Sequence, residues 1–71
     1  MTPRRFPPPW SVEHHPGGEL LIVRDANGQA LAYVYFEDEP QRQMSMKRLS
    51  SDEARRIAAN IAKLPDLMRK P

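Results

Sequence analysis

At 71 residues with no cysteine, the chain has room for one small core and excludes a disulfide scaffold. Eleven Lys plus Arg against nine Asp plus Glu leave a net charge of +2, too small a surplus to indicate nucleic-acid binding by itself. No apolar run approaches the ~20 residues that span a bilayer, and the basic start Met1 to Phe6 lacks the apolar stretch of a signal peptide.

A cytoplasmic protein is therefore expected, and a chain without cysteine suits a reducing compartment. So small a domain buries only about 60% of its unfolded surface and usually recruits a disulfide, a metal or a partner chain. Cysteine is absent and no zinc-ligand spacing occurs, which favours self-association.

Residues 1–9 read as a Pro-rich extended tail, with Arg4 and Arg5 ahead of Pro7-Pro8-Pro9. Residues 10–71 read as a single α+β domain. Trp10, Val12 and His14 alternate with Ser11, Glu13 and His15, the period of a first strand from Trp10 to His14. Pro16-Gly17-Gly18 turns the chain. A second strand, Glu19 to Arg24, and a third, Gln29 to Phe36, flank the turn Asp25-Ala26-Asn27-Gly28.

Two turn geometries suit that hairpin. Asn27-Gly28 alone makes a two-residue type I′ turn. Alternatively Asp25 opens a type I turn and Gly28 takes the left-handed position of a three-residue loop with a bulge. The preference of Asp for the first turn position favours the second geometry, which sets Val23 opposite Leu31 and Leu21 opposite Tyr33.

The third strand is apolar on both faces, with Ala30, Ala32, Val34 and Phe36 on one and Leu31, Tyr33 and Tyr35 on the other. One helix covers one face, and the small side chains of Ala30 and Ala32 favour its approach there. The face of Leu31, Tyr33 and Tyr35 then needs a cover, either the Pro-Trp segment folding back or a second copy of the chain.

Gln41 to Arg48 suits a short helix or a fourth edge strand, with helix propensity ahead. A helix then starts near Ser50, whose spacing from Glu53 makes a capping box. Ala54, Ile57, Ile61, Leu64 and Met68 form its apolar stripe, and Asp52 stands i,i+4 from Arg56 for an ion pair. Pro65 is expected to end or kink the helix and to begin a further turn.

The expected fold is thus a three-stranded antiparallel meander followed by a C-terminal amphipathic helix. Its candidate function is a small non-enzymatic protein-interaction module, homodimeric through a sheet face bearing Trp10, Leu21, Leu31, Tyr33 and Tyr35. The alternative is a nucleic-acid-binding accessory protein using Arg55, Arg56 and Lys63, with Lys47, Arg48, Arg69 and Lys70 extending the patch. A small enzyme or metal protein has least support, and no cofactor is expected. Adjacent His14 and His15 point to opposite faces of a strand, and Glu37-Asp38-Glu39 reads as a solvated turn neutralised by Arg42 or Lys47 rather than a Ca²⁺ or Mg²⁺ site.

The blocks Pro7-Pro8-Pro9-Trp10, Asp25 to Phe36 (DANGQALAYVYF) and Asp52 to Ala58 (DEARRIA) resemble a group of short uncharacterised bacterial proteins, mainly alphaproteobacterial. That resemblance covers nearly the whole chain and implies a bacterial cytosolic source. The group has no assigned activity, ligand or catalytic residue, so no role is carried over to these positions.

Overall fold

A computed structural model describes residues 6–68. Its elements are β1 (Ser11–His14), β2 (Leu20–Arg24), β3 (Ala30–Tyr35), α1 (Pro40–Met46), α2 (Ser51–Ala62) and α3 (Leu64–Met68). The strands form an antiparallel sheet in the order β1-β2-β3, the meander followed by helix that the sequence predicts. Arg4, Arg5, Arg69 and Lys70, invoked above in the tail and the basic patch, lie outside the described residues.

The hairpin turn adopts the second of its two candidate geometries. Gly28 N–H donates to the Asp25 carbonyl at 3.1 Å, Asp25 N–H donates to the Gln29 carbonyl at 3.0 Å, and Gly28 has φ +88°. No atom lies within 4 Å of a Cβ built at Gly28, so only the backbone conformation selects glycine there. Gly28→Ala should therefore cost about 1 kcal/mol, read as a lower denaturant midpoint with an unchanged slope.

The register beyond the turn differs from expectation. Arg24 pairs with Ala30, but Val23 pairs with Ala32, Leu21 with Val34 and Ile22 with Tyr33, because a bulge between Val23 and Arg24 leaves Leu31 without an opposite residue. A one-residue slip moves every side chain to the other face. Here it turns Leu21 and Val23 toward α2, where the expected register would have turned Leu20 and Ile22 there.

The core consists of Leu21, Val23, Val34 and Phe36 from the sheet with Ala54 and Ala58 from α2, and Trp10, Ala32, Leu49, Ile61 and Ala62 pack around it. The buried stripe of α2 thus differs from the expected one. Ala54 and Ala58 are fully buried, whereas Ile57 is exposed, as is Met68 beyond the end of α2. Alanines let the helix axis approach the sheet closely, and larger side chains at its margins stay out. The capping box forms as expected: Ser50 Oγ accepts from Glu53 N–H at 3.2 Å, and Glu53 Oε1 accepts from Ser50 N–H at 2.9 Å. Lys63 caps α2 just before Pro65, and α3 follows at once.

Of residues 41–48, Gln41 to Met46 are helical, in α1, with Glu39 as N-cap and Pro40 at the first helical position. Lys47, at φ 55°, ends α1 in the left-handed conformation. Phe36 then bridges in parallel to Leu49, which brings the chain back beside the end of β3.

Candidate interaction surface

Residues opposite one another in an antiparallel sheet share a face. One face carries Val12, Leu21, Val23, Ala32 and Val34 and receives α2. The other carries Ser11 and Glu13 from β1, Leu20 and Ile22 from β2, and Tyr33 and Tyr35 from β3. Ile22, opposite Glu13 on one side and Tyr33 on the other, is only 3% exposed. Tyr33 and Tyr35 remain 58% and 51% exposed.

The five side chains expected to form the interface therefore divide. Leu21 belongs to the core under α2, a correction that follows directly from the bulge. Trp10 also packs on the core side, its indole N–H donating to the Phe6 carbonyl at 2.9 Å. Pro8 and Pro9 join it in lining a hollow of about 350 Å³ against Ala62, Lys63, Pro65 and Asp66. Pro7 is anchored as well, its carbonyl accepting from Ala26 N–H at 2.9 Å. The Pro-Trp segment thus folds onto the helix side and leaves the tyrosines open. Leu31 is half-buried at the bulge.

The sequence analysis assigned Arg48 only to the basic patch and did not single out Met44. The Arg48 guanidinium lies 5.4 Å from the centre of the Tyr35 ring, a cation–π distance. Arg48 also lines an open hollow of about 550 Å³ with Pro40, Gln43, Met44 and Lys47. Met44 is 81% exposed, and α1 buries none of its residues. The pair Glu39-Pro40, a capping side chain before an N1 proline, was the sequence signal for this helix.

The acidic run is committed to local structure, with Glu37 buried and Asp38 and Glu39 exposed. Glu37 is buried, accepts from Glu39 N–H at 3.1 Å and pairs with Arg42 at 3.3 Å. Asp38 accepts from Ser51 N–H at 2.9 Å, at the start of α2. Glu39 accepts from the N–H groups of Gln41 and Arg42 in α1. Three carboxylates thus tie the end of β3 to both helix starts. Arg42 is the neutralising partner, one of the two expected.

Both histidines are exposed: His14 stacks 5.9 Å from Phe36, and His15 Nδ1 accepts from Gly17 N–H at 3.1 Å. Among the described residues no group of three His, Cys, Asp or Glu is placed to hold a metal ion, and no helix is long and apolar enough to cross a membrane. Arg55, Arg56 and Lys63 are exposed on α2, across the sheet from the tyrosines. The expected Asp52–Arg56 ion pair does not form; the described ion pairs join Arg24 to Glu13 and Arg42 to Glu37 and Glu39.

No family model matches the chain, and neither a curated protein nor a solved structure does.

Proposed function

We propose that this chain is a small non-enzymatic protein-interaction module, acting in the cytoplasm, whose contact surface is the open sheet face around Tyr33 and Tyr35. One observation carries the proposal: both rings are more than half exposed although α2 and Trp10 have each taken the opposite face. Tyrosine supplies a large amphipathic area at low entropic cost, and it is enriched where proteins meet. Arg48 beside Tyr35 adds a second residue type favoured at contact hot spots.

Nucleic-acid contact through Arg55, Arg56 and Lys63 is the alternative, supported by Arg55 and Arg56 being exposed and forming no ion pair among the described residues. Against it, Asp52 and Glu53 share the same helix, and the aromatic side chains that would stack bases stand across the sheet.

Photo-crosslinking in the producing cell separates the two. A photoreactive phenylalanine analogue replacing Tyr33 should yield a discrete protein adduct, and the same group replacing Arg55 should yield none. Equal protein adducts at both positions, or none at either, would retire the proposal. Nucleic-acid adducts confined to position 55 would establish the alternative.

A further inference from the structure

We propose that α1 and its caps, Glu39 to Arg48, open and close as a unit while the rest of the domain stays folded, and that the closed form is what holds Arg48 over Tyr35. This opening goes beyond the contact surface proposed above and does not depend on it.

Little tertiary structure holds α1. Among the described residues it packs against no other element, and none of its residues is buried. Its side-chain tie to the end of β3 is the ion pair of Arg42 with Glu37 at 3.3 Å, and Arg42 is itself exposed. Isolated helices shorter than about 12–15 residues are marginal in water, and α1 has seven. Lys47 closes it at φ 55°, a left-handed conformation unfavourable for a residue with a Cβ. What favours the helix is local: Glu39 accepts from Arg42 N–H at 2.7 Å, and Pro40 is preset for the first turn.

Both ends of the segment are pinned to folded structure outside it. Glu37 N–H donates to the Leu49 carbonyl at 2.8 Å, beside the Phe36–Leu49 bridge. Asp38 accepts from Ser51 N–H at 2.9 Å, at the start of α2. Residues 39–48 thus form a closed loop standing off the core, and their opening breaks no contact among Leu21, Val23, Val34, Phe36, Ala54 and Ala58. Segments with few buried contacts open at low free energy, apart from global unfolding.

The helix end also positions Arg48. Arg48 N–H donates to the Gln43 carbonyl at 3.1 Å, and Lys47 N–H donates to the Met44 carbonyl at 3.4 Å. Those bonds exist only while α1 is wound, and the guanidinium then lies 5.4 Å from the centre of the Tyr35 ring. Opening frees Arg48 and bares that face of Tyr35. Where the tyrosine face meets a partner, α1 therefore governs access to one of its two rings; this consequence alone rests on the contact surface.

Native-state amide hydrogen exchange of the full chain, followed by NMR across low urea concentrations, tests both steps. Corrected for intrinsic rates, the amides of Gln43, Lys47 and Arg48 should exchange roughly a hundredfold or more faster than that of Ala58 in α2. Their rates should not rise with urea, because a local opening exposes little surface. Lys47→Gly should slow them roughly fivefold or more, since glycine adopts the left-handed conformation without penalty. Gln43→Pro removes the N–H that donates to the Glu39 carbonyl, and should open α1 with the domain still folded and Ala58 still protected. The Arg48 side-chain protons, shifted upfield by the Tyr35 ring in the wild type, should then move to their free-chain positions. Exchange of α1 in step with Ala58 and equally accelerated by urea, or a domain unfolded by Gln43→Pro, overturns the independent opening. An Arg48 shift unchanged by Gln43→Pro overturns the link to Tyr35. Neither readout involves a partner, so a failure of the contact surface at Tyr33 leaves the opening standing.

Discussion

Ala58→Leu should lower the stability of the domain by about 3 kcal/mol, a large fall in its denaturation midpoint, while Ala59→Leu, one residue on, should be nearly silent. Ala58 is fully buried between α2 and the sheet, and Ala59 is exposed on the same helix. Helix propensity barely separates alanine from leucine, so the two substitutions differ only in what the new side chain meets. At position 58 three further carbons must fit where Leu21, Val23 and Val34 already close the space. Overpacking a tight core costs typically 1–3 kcal/mol. The upper end applies here, because moving α2 outward would also loosen Ala54, the other fully buried contact of the helix. At roughly 0.05–0.15 kcal/mol per residue, a chain of 71 residues has about 4–10 kcal/mol in total. A loss of about 3 kcal/mol is then a large share. Chemical denaturation followed at the single Trp10 measures it, and equal midpoints for the two variants would contradict the close approach of α2.

The same contact shows where local chemistry was sufficient and where it was not. Ser50 and Glu53 announce the helix start because a capping box is closed by residues three apart. Asp25 and Gly28 announce the turn for the same reason. The bulge at Leu31 is different, because its cause is not in the loop. It is settled by whether Leu21 and Val23 or Leu20 and Ile22 go under α2, a choice that needs the helix in place. That choice moved Leu21 out of the expected interface and left Tyr33 and Tyr35 on it. The apolar stripe on α2 failed similarly. Ile57 has the larger hydrophobic side chain, yet close packing selected Ala58, and periodicity alone does not rank side chains by size.

Asp25→Ala should be the second large effect, and it should reach Trp10, which stands outside the loop. Asp25 is buried, and its Oδ1 accepts from the N–H groups of Asn27 and Gln29, each at 2.9 Å. Hydrogen bonds to a charged acceptor are worth about 1.5–3 kcal/mol each. Alanine leaves both donors without their partner. Because the turn is at the surface, water recovers part of that loss, and a net cost of about 2–3 kcal/mol is expected. Asp25→Asn keeps an oxygen in the same place and gives up only the charge assistance, so about 1 kcal/mol is expected. The turn also holds the N-terminal segment, since Ala26 N–H donates to the Pro7 carbonyl at 2.9 Å and the Trp10 indole donates to Phe6. Disordering the turn should therefore release Pro7 and expose Trp10 to water. A red-shifted Trp10 emission in Asp25→Ala, recorded below the unfolding transition and absent from Asp25→Asn, is the expected result. An unshifted emission in Asp25→Ala would mean that Pro7 to Trp10 is held by its packing on α2 alone, with the hairpin turn playing no part.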